Sequence, residues 1–223
     1  MAKKNDALTT IQKPDYVRAR LREIGFWFVD IPRTSSTTVK LAFYRRYGKV
    51  FGGPTGGSSG IGMGLIPYHL PARLLREQLG AALWDSLYTF TLVRNPFERV
   101  LSLFFFLQNN GKLQGWTFGR YVNQLGQPGG LDYHGHYLSN CGYICDTDGN
   151  LLISEVFRFE QRDEAMEKIA GKTGCPEVAT NSRKTYESGS RHYSHYYDPA
   201  SRRKIEDFYR DDFERFGYRF ETA

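Results

Sequence analysis

Short apolar runs bounded by glycine and proline alternate with amphipathic stretches through the first half of the chain. Phe26-Trp27-Phe28-Val29-Asp30-Ile31 lies between Gly25 and Pro32, and its aromatic, β-branched character predicts a buried strand. The segment from Leu87 to Val93 predicts a second. Around them, Asp15 to Glu23 reads as a short helix with Asp15 as its N-cap. Thr37 to Tyr47 reads as a helix ending at Gly48, and Pro71 to Leu79 as one opened by proline. After the second strand, Arg94 leads into Asn95-Pro96, an N-cap and first-turn pair, and a helix to about Leu107. Strand alternating with helix predicts an α/β fold, a parallel sheet flanked by helices. The polar residues 1–14 read as a loose tail and 15–223 as a single domain.

The second half is less regular. Trp116 to Leu125 reads as helical, 126–150 as a long loop, Glu155 to Phe159 as a short strand and Arg162 to Ala170 as a helix. Residues 171–197 are irregular and basic. Asp198-Pro199 opens a last helix that runs to about Phe216 and stops at Gly217. Half of the residues from Phe51 to Gly64 are glycine, a composition that fits a lid and a plain connector equally well.

Composition narrows the function classes. With 40% hydrophobic and 15% aromatic residues in 223, the chain can build a core, which excludes wholesale disorder. Its most apolar stretch, Leu101 to Leu107, is far shorter than the ~20 residues of a membrane helix. No apolar segment follows the charged N-terminus, so no secretory signal is read. Three cysteines, Cys141, Cys145 and Cys175, without a CxxC pair, fit a reducing compartment and argue against a disulfide scaffold or structural zinc. A net charge of +6 favours an anionic partner: nucleic acid, a membrane surface, a nucleotide or a sulfated sugar.

Two segments carry candidate chemistry. In Pro32-Arg33-Thr34-Ser35-Ser36-Thr37-Thr38, hydroxyl side chains crowd the turn between a strand and a helix. A helix start binds phosphate-like anions through its unsatisfied N–H groups, and hydroxyls and Arg33 would add donors. The same pattern reads equally well as a Ser/Thr-rich cap beside a surface arginine. It is not a Walker loop, so ATP hydrolysis is not supported. The second segment runs from Val93 to Ser102. Arg94 stands at a strand's C-terminal end, where open α/β sheets place ligands, and Ser102 lies about two helical turns further on. An arginine fork and a serine hydroxyl can share one phosphate. The plain alternative is a surface ion pair, with a serine bonded back to its own helix.

Taken in this order, the two segments resemble PAPS-dependent sulfotransferases, most closely the family that includes heparan 2-O- and chondroitin/dermatan sulfotransferases. Ile31 to Thr38 is similar to that family's Ile-Pro-Lys-Thr-x-Ser-Thr-Ser loop, with Arg33 in the place of lysine. Val93 to Ser102 matches Val-Arg-x-Pro-x-x-Arg-x-x-Ser at every specified position. Tyr68-His69-Leu70-Pro71-Ala72, Phe157-Arg158-Phe159-Glu160, Tyr196-Tyr197-Asp198-Pro199 and Asp212 to Tyr218 resemble further family elements. The resemblance implies a sulfotransferase fold related to P-loop NTPases, and sulfuryl transfer from 3′-phosphoadenosine 5′-phosphosulfate without a metal. It assigns Arg33, Thr34, Ser35, Ser36, Thr37 and Thr38 to the 5′-phosphosulfate, and Arg94 and Ser102 to the 3′-phosphate. It also implies that Arg183 and Lys184 belong to a basic loop on the 3′-phosphate side, although those two read equally well as a solvated charge run. The acceptor it favours is a hydroxyl on a glycan or glycolipid, and the setting a cytoplasmic, bacterial one.

Such a reaction needs a base for the acceptor's proton. His69 matches the position where the family often carries a histidine and is the first candidate, with Arg33 stabilising the leaving group. His134 and His136 would line the acceptor site, or are exposed loop histidines. His192 and His195 are weaker candidates. Glu98 is a second possible base, or the partner of a nearby arginine. Phe104-Phe105-Phe106 reads as core packing. Three other readings stay open: a domain with weak turnover that binds a nucleotide or anionic glycan, a nucleic-acid binder, and a nucleotide kinase. The absence of a nucleic-acid motif and the modest charge count against the second, and the missing Walker lysine against the third.

Overall fold

The computed structural model describes residues 10–52, 64–127, 136–180 and 191–223. In chain order the elements are α1 (Pro14–Ile24), β1 (Phe26–Phe28), α2 (Ser36–Tyr47), α3 (Ala72–Leu79), α4 (Ala81–Ser86), β2 (Tyr88–Val93) and α5 (Pro96–Asn109). They continue with α6 (Phe118–Asn123), α7 (Asn140–Ile144), β3 (Glu155–Arg158), α8 (Arg162–Thr173), α9 (Glu177–Thr180), α10 (Pro199–Phe208) and α11 (Arg210–Phe216). The chain forms two compact units, one of Met1–Val93 with Gly142–Arg183 and one of Arg94–Cys141 with Lys184–Ala223. No helix among the described residues is long and apolar enough to cross a membrane.

The first unit carries the expected parallel sheet, in the order β1-β2-β3. Phe26 aligns with Tyr88, and Phe28 with Phe90. On the other side of β2, Phe90 aligns with Glu155 and Val93 with Arg158. Phe26, Phe28 and Phe90 are all buried, as strands covered on both faces require. Helix α2 covers the sheet through Phe43, whose ring lies 4.9 Å from Phe26 and 6.2 Å from Phe90. Phe51 stacks on Trp27 at 4.8 Å. Ring pairs of this kind add roughly 0.5–1.5 kcal/mol each beyond the area they bury.

β1 is shorter than the predicted run to Ile31. The Val29 N–H still donates to Phe90 O at 2.8 Å, but Asp30 then leaves the ladder and its carboxylate turns to Lys40 and His69. Helix α1 begins at Pro14, so Asp15 sits in its first turn rather than at the cap. Within the expected tail Ile11 is buried, and its N–H donates to Gln78 Oε1 at 2.7 Å.

In the second unit α5 starts as its sequence predicts, with the Phe97 N–H donating to Asn95 Oδ1 at 3.0 Å. Its apolar face, Phe97, Val100, Leu101 and Phe104, packs with Phe118, Tyr121, Tyr193, Ile205 and Tyr209 into one core, and Phe105 and Phe106 lie partly buried against it. Two expectations are corrected here. The last helix is two helices, α10 and α11, divided at Tyr209, and the long loop 126–150 contains α7. The start of α7 is held by Asp212, which is fully buried and accepts from the N–H groups of Asn140 and Cys141, each at 2.8 Å. Burial pushes the Asp212 carboxyl up, against Arg99 and these N–H groups, which hold it down.

Arg99 is itself buried, and its NH2 donates to Leu138 O at 2.5 Å. Arg99→Leu would leave the buried Asp212 carboxylate without its cation, so a loss of about 3–5 kcal/mol is expected. Thermal melting followed by circular dichroism should show a midpoint lower by roughly 10 °C; an unchanged midpoint would remove this network from the account of stability.

Candidate active site

At the C-terminal end of β1 the chain turns through Pro32–Ser35 into α2. The Thr34 hydroxyl donates to Ile31 O at 2.8 Å and closes the turn. Arg33 and Ser35 both take φ of 68°, a left-handed conformation that costs a non-glycine residue of order 1 kcal/mol. Left-handed residues of this kind bend a backbone so that successive N–H groups can face an anion. The first turn of α2 carries no acidic side chain of its own to offset the positive end of its dipole.

The reading of this loop as a self-capped helix start is corrected, because the Ser35 side chain makes no cap bond to α2. Its hydroxyl accepts from Arg162 Nε at 3.1 Å instead, which brings a second arginine to the loop. Thr38 is fully buried, and its Oγ1 has no hydrogen-bond partner. A buried hydroxyl left this way costs about 1–3 kcal/mol, and a bound phosphate or sulfate oxygen would satisfy it. The chemistry of the loop therefore fits an anionic ligand.

Three residues before Arg33 lies a buried charge cluster. The Asp30 carboxylate accepts from Lys40 Nζ, and its Oδ2 lies 3.2 Å from His69 Nδ1. The same His69 nitrogen is 3.0 Å from the backbone oxygen of Asp30. Lys40 Nζ also sits 3.4 Å above the Tyr68 ring. Burial alone would push the Asp30 carboxyl up, but His69 and Lys40 together hold it well below the usual carboxylate range. Burial lowers the Lys40 ammonium, and Asp30 works against that. Burial, with the Asp30 charge second, pushes the Tyr68 phenol up.

In the second unit, Arg94 is buried and donates to Glu98 Oε2 from Nε at 3.1 Å, with NH2 at 3.0 Å from the same oxygen. Glu98 is thus the partner of an arginine, one of the two roles its sequence position allowed. The Arg94 backbone is fixed as well, since Asn140 Nδ2 donates to Arg94 O at 3.1 Å and to Asp212 Oδ2 at 2.9 Å. Ser102 is buried on α5. His136 is buried too, its ring 6.5 Å from that of Phe106. His192 caps a short 3-10 turn, accepting from the Ser194 N–H at 3.3 Å. His134, Arg183 and Lys184 lie outside the described residues.

Within the first unit the structure thus joins His69 to the residue that leads into the Arg33–Thr38 loop. Sequence reasoning missed Asp30, Lys40 and Arg162. A signal existed for the first two: a lone acid at the end of a buried strand, and a lone lysine on the apolar face of the next helix. The model of the sulfotransferase family matches residues 21–219. No curated protein and no solved structure matches the chain.

Proposed function

The chain belongs to the sulfotransferase family, and from that premise we propose that it moves the sulfuryl group of 3′-phosphoadenosine 5′-phosphosulfate to a carbohydrate hydroxyl, with His69 as the base. Sulfuryl transfer itself follows from the family; the donor, the acceptor class and the base are the proposal. The observation that carries it is the hydrogen bonding of His69 to Asp30, immediately ahead of an anion loop with a buried, partnerless Thr38 hydroxyl. A base and a sulfate cradle are thereby tied to one stretch of chain.

In this reading the residues from Arg33 to Thr38 hold the 5′-phosphosulfate, and Arg94 and Ser102 hold the 3′-phosphate. The acceptor oxygen attacks sulfur in line as the bond from sulfur to the bridging phosphate oxygen breaks. His69 takes the acceptor's proton, and the leaving phosphate keeps the electron pair of the broken bond. Arg33 stays charged, as a guanidinium does, and neutralises that oxygen without giving it a proton. Catalysis rests on positioning and on charge placed in advance where charge develops.

Incubation with ³⁵S-labelled donor and a panel of glycans tests this, with label expected on carbohydrate. Arg33→Lys restores the residue usual in the resembled loop and should match or exceed the wild-type rate, since lysine supplies the same charge and can also lend a proton. Donor binding without turnover in either form would favour the nucleotide- or glycan-binding reading instead.

A further inference from the structure

We propose that Asp30 is the positioning residue of the His69 base, fixing its Nδ1 and lending charge to its imidazolium, and that Lys40 sets how much of that charge His69 feels. The inference rests on His69 being the base. It adds two residues to the machinery that neither the motifs nor the family match assign.

Two oxygens of Asp30 meet His69 Nδ1, the backbone carbonyl at 3.0 Å and carboxylate Oδ2 at 3.2 Å. Each can only accept, so Nδ1 carries the hydrogen and a neutral ring keeps its lone pair on Nε2. That is the tautomer a base needs, held by a bond on the far side of the ring. When Nε2 takes the acceptor's proton, the new positive charge forms beside a carboxylate that is buried and therefore weakly screened.

A purely structural ion pair fits the cluster poorly. Asp30 Oδ1 is buried and has no hydrogen-bond partner, so the negative charge is satisfied only through Oδ2. Buried ion pairs that serve stability need their remaining lone pairs satisfied. The His69 backbone points the same way, held at φ of 56°. Strain of this kind persists where surrounding contacts over-determine a side chain's place.

The groups facing the carboxylate are His69, Lys40 from α2, and Tyr68, whose phenol stays neutral because burial and the Asp30 charge push it up. Asp30 Oδ2 lies 3.2 Å from the ring nitrogen, so removing it takes a charge from beside the imidazolium that forms during transfer. Lys40 competes for the same oxygen. The two substitutions should therefore act with opposite signs. In Asp30→Asn kcat should fall, and in Lys40→Met it should rise. Turnover in Asp30→Asn should drop at least ~10-fold in kcat with little change in donor KM. The loss is limited because the backbone carbonyl of residue 30 still fixes the tautomer.

The experiment is steady-state kinetics of the wild type and both variants, with kcat and donor KM read separately, and with the ¹⁵N shifts of the His69 ring, assigned by their loss in His69→Asn, reporting which nitrogen carries the hydrogen. If Asp30→Asn strands Lys40 and fails to fold, the double variant Asp30→Leu/Lys40→Met removes both charges at similar volume and should show the same kcat loss. A kcat loss in Asp30→Asn and a gain in Lys40→Met, at unchanged donor KM and with the hydrogen on Nδ1, establish the proposal. An unchanged kcat in folded Asp30→Asn, or a kcat that moves the same way in both variants, overturns it. Full turnover in His69→Asn would instead remove the base role on which the proposal rests.

Discussion

His69→Asn is expected to lower kcat by about 10²–10⁴-fold while leaving the affinity for 3′-phosphoadenosine 5′-phosphate within a few-fold of wild type. Asparagine suits the test for a local reason. Position 69 holds a left-handed backbone, φ of 56°, which asparagine tolerates better than most residues. Its amide can also keep donating to the Asp30 oxygens that His69 Nδ1 meets at 3.0 and 3.2 Å. The fold around the charge cluster is therefore kept, and what is lost is a ring nitrogen able to take a proton. The expected rate loss corresponds to roughly 3–5 kcal/mol of barrier. Full turnover in a folded His69→Asn protein would transfer the base role to another group.

Arg94→Ala is expected to cost ~10²–10³-fold in affinity for the same nucleotide, measured by calorimetry. Two effects add. The variant loses a charge-assisted fork to phosphate, the strongest class of hydrogen bond a side chain offers that anion. It also leaves the Glu98 carboxylate, whose Oε2 meets Arg94 at 3.0–3.1 Å, beside the proposed phosphate position without its counter-charge. Arg94→Ala/Glu98→Ala should therefore bind more tightly than Arg94→Ala alone. Arg94→Lys should recover only part of the loss, because an ammonium cannot replace a planar fork. Adenosine 5′-phosphate, which lacks the 3′-phosphate, should be nearly indifferent to all three changes. If it weakens as much as the bisphosphate, Arg94 does not read that group.

The parts of the fold legible in the sequence are those whose cause is local. β2 lies where an apolar run sits between a helix and Arg94, and α5 starts where Asn95-Pro96 supplies a cap and a fixed φ. α7 was illegible because its cap comes from far along the chain: Asp212, some seventy residues on, accepts its first two N–H groups. The division between α10 and α11 is illegible because no proline or glycine marks Tyr209. The site shows the same contrast. The hydroxyl loop and the Arg94–Ser102 spacing are written in order along the chain, whereas the pairing of Asp30 with Lys40 and His69 exists only once β1, α2 and the segment before α3 are folded together. The length of β1 is illegible on this point too, because an acid that reads as part of a strand is drawn out of the ladder by Lys40 and His69.

Calorimetric titration of the wild-type protein with 3′-phosphoadenosine 5′-phosphate, against adenosine 5′-phosphate as reference, tests the central claim most directly. One-to-one binding at least ~10²-fold tighter than the reference is expected, since a second phosphate held by an arginine and a serine contributes about 3 kcal/mol. Absence of binding to correctly folded protein, or equal affinity for the two nucleotides, would contradict the assignment of this site to the sulfuryl donor.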